Sequence, residues 1–397
     1  MATGGKRTDM VQDNPPAMTL VPPPVGRAAR LDGIDTLRGL SIIAVVLHHI
    51  NLRMMFNGVS FESFLPAQLG KALFWNGANG VTVFFAISGF LITTNSLRRW
   101  GGLEHVRVFD FYRLRFARIV PLLVALLLLL SALHLAHAKG FVIPPERATL
   151  GRALLAATTF HVNWLEATRG YLPASWDVLW SLSVEEMFYV FFPLVCLSTR
   201  VRAVLIPVLL LFVVLGPFAR TVLTQNGLWA DIGYLSCMDG IALGCLAALA
   251  ANALRLSSAL LWTLRVSGAA MVMLVMLVRP LTAALRLYKT GLDVTVLALG
   301  TCLLLVAIAQ RNNPGGRPTA AIRWFGRNSY EIYLTHMFVV LWSVQLFVAT
   351  GTRLRWAPLW YLAMLGAAGL VGAIVATRYS EPMNRRLRRA RPSVRAA

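Results

Sequence analysis

The chain has 397 residues, of which 57% are hydrophobic and only 14% charged, and its mean hydropathy is +0.63. A soluble domain of this size cannot hide so much apolar surface, so lipid must solvate most of the chain. The 38 Lys and Arg against 17 Asp and Glu give a formal net charge of +21, but they lie between apolar runs rather than on one soluble face, which argues against a nucleic-acid partner.

The first 30 or so residues carry Pro15, Pro16, Pro22, Pro23 and Pro24 among small and polar residues. Such a stretch cannot bury enough surface to order itself, so residues 1–30 are expected to form a disordered cytosolic tail. No short apolar segment with a cleavage site opens the chain, and the first span is expected to act as an uncleaved signal anchor. At about 20 apolar residues per helix, spans are predicted at about 34–52, 78–96, 116–136, 184–198, 203–218, 230–252, 258–278, 291–309, 328–350 and 357–377. The fourth and fifth are short and divided only around Arg200 and Arg202. Between the third and fourth, the stretch from about 137 to 183 is half-apolar from Leu150 to Leu165 and suits the membrane interface, with Trp164, Tyr171 and Trp176 at the headgroup level.

These elements predict an all-α fold: a polytopic membrane protein with about ten transmembrane helices in one domain, 31–380, followed by a basic cytosolic C-terminal tail, 381–397. With both termini cytosolic, about 24 Lys and Arg fall inside and about 12 outside, the bias that orients membrane proteins. Cys196, Cys237, Cys245 and Cys302 all lie in or at the ends of apolar stretches, without a disulfide or zinc-type spacing. His134, His137 and His161 lack partners at ligand spacing, and no metal is expected.

Ionisable residues inside a spanning helix cost a few kcal/mol each and need a reason. In the first span Arg38 and the adjacent His48 and His49 bracket an apolar run. Arg38 and His49 are separated by about 1100° of helical rotation, so they fall within about 20° of one face and about 16 Å apart along the axis. His48 lies about 80° away. An Arg on the cytosolic side with a His at depth suits a substrate that enters from the cytosol and reacts within the membrane; the plainer reading of His49 is a hydrogen-bonded interfacial residue. Ser88, Gly89 and Phe90 read as a close-packing point, since no nucleophile elbow surrounds Ser88. Arg113, Arg115 and Arg118 close a basic segment whose plain reading is topological anchoring. Glu185 opens the fourth span, where a carboxylate can orient or charge-stabilise the His49 imidazole or accept a hydrogen bond from an acceptor sugar. Ser183 with Glu186 reads as a capping box.

The run from Ile34 to His49 (IDTLRGLSIIAVVLHH) resembles the opening helix of the acyltransferase-3 family of integral-membrane acyltransferases, whose mark is an Arg, ten residues, then a His. VFFAISGFLIT from Val83 to Thr93, YRLRFARIVP from Tyr112 to Pro121, WSLSVEEMFY from Trp180 to Tyr189 and SYEIYLTH from Ser329 to His336 follow in the family's order, so the resemblance runs from about Leu31 to Arg378. It implies acyl-CoA as donor and co-substrate, with no bound cofactor, and a hydroxyl of a sugar, glycolipid, polysaccharide or secondary metabolite as acceptor. The family's His matches His49, the expected base, while His48 stands where the family commonly has an aromatic residue. Arg115 and Arg118 resemble its Arg, two residues, Arg motif and are expected to clamp the donor's phosphates. Arg38 is expected to hold the donor's polar groups or to stabilise the thioester oxygen.

The family pattern favours Glu185 over Glu186, and it carries Tyr and His at the places of Tyr333 and His336. These two are possible site residues, with helix packing or hydrogen bonding as the equal alternative. The implied location is a cell membrane, the bacterial inner membrane. The rival class is a transporter or flippase that uses the same polar residues as a substrate or proton path, although no inverted repeat is evident.

Overall fold

The computed structural model describes Met1 and residues 31–59, 65–70, 74–198, 201–311, 314–351 and 353–389. The predicted tail, 1–30, lies outside the described residues except for Met1. From Leu31 onward the chain is one compact unit, and no strand occurs among the described residues. The longer helices are α1 (Asp32–Met55), α2 (Asn79–Trp100), α3 (Val108–Leu135), α4 (Leu150–Thr158), α5 (Val162–Arg169), α6 (Leu179–Val195) and α7 (Val201–Thr221). They are followed by α8 (Tyr234–Ala253), α9 (Ser258–Leu277), α10 (Leu292–Gln310), α11 (Ala320–Arg327), α12 (Ser329–Ala349), α13 (Ala357–Val375) and α14 (Glu381–Arg389). Among the described residues, 10 helices are long and apolar enough to cross a membrane, and each coincides with one predicted span.

Two spans begin about two turns or more before their predicted starts. The third starts at Val108 rather than 116, and the fourth segment is helical from Ala174 rather than 184. In both, the added turns carry polar residues with partners on other helices, Arg115 over the Tyr189 ring and Ser181 at the Tyr333 hydroxyl, so a count of apolar residues stops short of them. Trp176, expected at the headgroup level, is fully buried, whereas Trp164 and Tyr171 are exposed. The stretch around α4 and α5 does not lie free along the interface. Ala153, Leu165 and Trp176 join one apolar core with Leu126 of α3 and Leu334 of α12, so the segment folds back as a cap on the bundle. The predicted basic tail begins as a helix: α14 follows a π-helical turn, Ala376–Ser380, and packs against α3. Met383 and Leu387 fall on one face of it and Glu381 pairs with Arg385 at i,i+4. Residues 390–397 lie outside the described residues.

Helices in lipid gain little from hydrophobic burial against one another, so close backbone approach carries the packing. A Cβ on Gly89 would strike the Ile241 carbonyl and one on Gly244 the Ala86 carbonyl, which locks α2 to α8. Gly39 and Gly326 do the same for α1 and α11. This fixes α1 in the middle of its neighbours α2, α11, α12 and α13. The outlying α9 leans on α10 and buries the smallest share of its length of any span.

Between α7, α8 and α10 lies a charge pair that sequence reading missed. Arg220 Nη2 donates to Asp239 Oδ2 at 2.8 Å and to Thr295 Oγ1 at 2.6 Å, while Nη1 reaches Asp239 Oδ1 at 3.1 Å and the Ser236 carbonyl. Nε donates to the Gly291 carbonyl at 2.8 Å. All five guanidinium donors have acceptors. Asp239 is an acid deep within the predicted sixth span, whereas Asp231 stands at its edge, and that position was the available signal.

Candidate active site

A cavity of about 220 Å³ lies among α1, α2, α3, α6 and α12. Its wall contains Arg38 from α1, Ser88 from α2, Arg115 and Arg118 from α3, Ser181, Glu185, Glu186 and Tyr189 from α6, and Ser329, Tyr330 and Tyr333 from α12. Five of the seven predicted site residues, Arg38, Arg115, Arg118, Glu185 and Tyr333, therefore meet in one space. Arg113 faces elsewhere, 3.9 Å from Asp110.

Arg38 Nε donates to Ser329 Oγ at 3.1 Å. The Arg115 guanidinium stacks 4.3 Å from the centroid of the Tyr189 ring, within electrostatic reach of Glu185 and Glu186. Arg118 Nη1 lies 3.1 Å from Glu331 Oε1 and over the Tyr330 ring. Glu331 is buried and also accepts a 2.7 Å hydrogen bond from Ser380 Oγ, beyond α13. Arg118 thus has a protein counter-ion, whereas Arg115 is held by a ring and two nearby carboxylates.

Glu185 does not open its helix but lies in the interior of α6, because the helix starts earlier than predicted. The capping-box reading fails for the same reason: Ser183 Oγ donates to the Leu179 carbonyl at 3.1 Å and accepts from Val162 N–H at 3.1 Å. Glu186 instead faces the cavity, with its buried Oε1 lacking a hydrogen-bond partner among the described residues. Ser88 contacts the Tyr189 hydroxyl. Sequence reading singled out neither Glu186 nor Tyr189 as a wall residue, since both follow from where α6 begins.

His49 and His336 lie outside this wall and against each other. His336 Nε2 is 3.3 Å from His49 Nδ1, with ring centroids 5.0 Å apart. Both residues of the first span reach the same neighbour, Arg38 at Ser329 and His49 at His336, as a shared helical face requires. Carbonyl oxygens only accept, so the hydrogen bonds assign the protons. His336 Nδ1 lies 2.8 Å from the Tyr333 carbonyl and must carry a hydrogen, which in the neutral ring leaves Nε2 a lone pair. His49 Nδ1 lies 2.9 Å from the Val45 carbonyl and faces that lone pair, so it too carries a hydrogen. The lone pair of a neutral His49 then resides on Nε2, which has no hydrogen-bond partner among the described residues. His48 Nδ1 is engaged otherwise, by the Phe74 carbonyl at 2.5 Å.

Tyr333 joins the two regions. It lines the cavity, exchanges a 2.7 Å hydrogen bond with Ser181 and lies 6.0 Å from the His336 ring centroid. Beyond the histidines, Arg53 on the last turn of α1 interacts with Asp177, and Asp177 with Glu166. Glu166 is fully buried on α5 and accepts the Leu172 N–H at 3.0 Å. Burial, with the Asp177 carboxyl beside it, holds Glu166 well above the usual carboxylate range.

The chain is similar to the proteins named O-acetyltransferase OatA of Staphylococcus aureus strains NCTC 8325 / PS 47, COL and MRSA252, each 25% identical over 166 residues. The alignment covers 42% of this chain and 24% of each relative, so the chain spans about a quarter of the length of the curated relatives it matches. No solved structure matches. The family model described as an acyltransferase domain matches residues 31–378, almost the whole described bundle. The chain belongs to the acyltransferase-3 family of membrane proteins.

Proposed function

We propose that the chain is a membrane-bound O-acyltransferase that moves an acyl group, acetyl or similar, from acyl-CoA to a hydroxyl of a sugar, glycolipid, polysaccharide or secondary metabolite. The observation that carries this reading is the His49 and His336 pair: its hydrogen bonds leave a lone pair on His49 Nε2, three turns along α1 from a cavity rich in arginine. His49 Nε2 takes the proton of the acceptor hydroxyl as its oxygen attacks the thioester carbonyl. The new C–O bond forms, the C–S bond breaks, and the proton passes from His49 to the leaving coenzyme A thiolate. The lone pair on His336 Nε2 accepts from His49 Nδ1 and steadies the imidazolium while it lasts.

Arg115 and Arg118 hold the donor near the cavity. Arg38 and His49 are about 16 Å apart along α1, so Arg38 serves the donor's polar groups rather than the thioester oxygen at the histidine. Glu185 shares the cavity wall with these arginines and Tyr333 and aligns the donor arm. Both termini face the cytosol, in keeping with the Lys and Arg bias, and the membrane is the bacterial inner membrane. The acceptor then meets His49 from the opposite side, where Arg53, Asp177 and Glu166 lie.

That same polar series, running from the cavity past Tyr333 and the histidines to Arg53, is what favours the transporter or flippase as second reading. Mass spectrometry of cell-envelope glycans and lipids from matched cells expressing the wild type or His49→Ala separates the two. One added acyl group per acceptor, present only with wild type, supports the transferase. Identical profiles, together with no release of free coenzyme A from acyl-CoA by purified protein with any hydroxyl acceptor, favour the transporter.

A further inference from the structure

The cavity is too small for the whole donor. Pockets that enclose drug-sized ligands run to about 300–1,000 Å³, and acyl-CoA is larger than such ligands, so a cavity of about 220 Å³ can admit only its acyl-pantetheine end. Its arginines also have acidic neighbours: Glu185 and Glu186 share the wall with Arg38, Arg115 and Arg118, and Glu331 pairs with Arg118. A phosphate monoester carries about −2 near neutral pH and would gain little beside those carboxylates. Uncompensated positive charge lies just outside. The helix α14 packs against α3, whose Arg115 and Arg118 line the cavity, and its Arg388 is within electrostatic reach of Arg118, Arg99 and Arg115. Arg99, on the last turn of α2, and Arg388 are both exposed and lack an ion-pair partner among the described residues. Guanidiniums gathered in this way repel one another until an anion sits among them.

The helix that carries Arg388 is fastened in place. Tyr379 Oη donates to the Pro121 carbonyl of α3 at 3.0 Å, and Ser380 Oγ donates to the Glu331 carboxylate that also holds Arg118. The family match ends at residue 378, before α14.

We propose that Arg388 and Arg99 bind the phosphates of the donor nucleotide, making α14 a wall of the donor site; this rests on the acyl-CoA reading above. The pantetheine arm enters the cavity between Arg115 and Arg118, and the nucleotide stays outside against α14 and the end of α2. The same chemistry suits the phosphate of an anionic lipid headgroup, and the experiment separates the two sources.

Coenzyme A binding is measured by titration calorimetry on the purified full chain in liposomes of phosphatidylcholine alone, and again with phosphatidylglycerol added. Arg388→Ala and Arg99→Ala are each expected to weaken Kd by about tenfold in both lipids, the worth of one charge-assisted hydrogen bond. Arg388→Lys should recover much of the loss, and Arg386→Ala on the same helix should bind as wild type does. An unchanged Kd in Arg388→Ala, an equal loss in Arg386→Ala, or a loss confined to the anionic liposomes overturns the proposal, the last by assigning the site to lipid. No binding of coenzyme A by wild type overturns it as well. The transferase reading fails separately: Arg388-dependent binding without acyl transfer to any hydroxyl removes that reading and leaves the phosphate site standing.

Discussion

Two regions of the bundle place arginine beside carboxylate within spanning helices, and they are finished differently. In the α7, α8 and α10 cluster every N–H of Arg220 has an acceptor, and Thr295 closes the ring by donating to Asp239 at 2.6 Å. Nothing is left for a ligand. At the cavity, Arg115 rests on an aromatic face and Glu186 keeps a buried oxygen without a hydrogen-bond partner among the described residues, and beyond the wall a neutral His49 keeps a lone pair on Nε2. Intramembrane charge alone therefore does not mark a site. What separates a staple from a site is whether the hydrogen-bonding capacity has been used up.

A closed network should respond to mutation in stability and an open one in rate. The largest expected loss is on the open side: His49→Ala should lower turnover by roughly 10²–10⁴-fold, the usual worth of a general base, at unchanged membrane levels. Retained activity there with His48→Ala inactive would move the base to His48. On the closed side, Asp239→Ala leaves Arg220 buried and unpaired and should destabilise the detergent-solubilised protein by about 3–5 kcal/mol, seen as a lowered melting temperature, with the folded fraction keeping its kcat. A lowered kcat with normal melting would mean that the staple belongs to the site.

Smaller effects sharpen the contrast. Glu185→Gln should reduce kcat about tenfold with little change in donor KM, as expected for loss of one charge-assisted contact; an unaltered rate would return Glu185 to packing. Arg118→Ala should raise the donor KM by a few-fold, about 1 kcal/mol, and more than the acceptor's. Because that change also strips Glu331 of its counter-ion, the double variant Arg118→Ala with Glu331→Gln should recover stability but not donor affinity, a coupling read from the cycle. Recovery of both would make the Arg118 and Glu331 pair structural.

Apolar runs made all ten spans visible, because lipid demands a minimum length of apolar helix. Their ends were less visible where polar side chains turn inward: Arg115 at the start of α3, and Ser181 and Ser183 in α6, fall in the turns that a count of apolar residues leaves out. Helical spacing placed Arg38 and His49 on one face, and both in fact touch α12. It could not pair His49 with His336 or Arg118 with Glu331, since those contacts join residues hundreds of positions apart, and only the packing of α1 and α3 on α12 supplies them. Trp176 was misplaced for a related reason: an aromatic residue at a span's edge suits the headgroups only if no other segment covers it, and α4 and α5 do.

The tight seating of α1 against α11, where Gly39 and Gly326 admit no side chain, makes α1 a ruler. A helix that cannot slide keeps Arg38 and His49 at a constant separation of about 16 Å, so, on the function proposed above, the reach of a donor arm is gauged between the point where it passes Arg38 and the point where its thioester would meet His49. Such a gauge would select for arm length and be indifferent to the acyl group at the tip. A thioester on a truncated arm would have to leave the arginines in order to reach the histidine, and would react as though the donor site were absent.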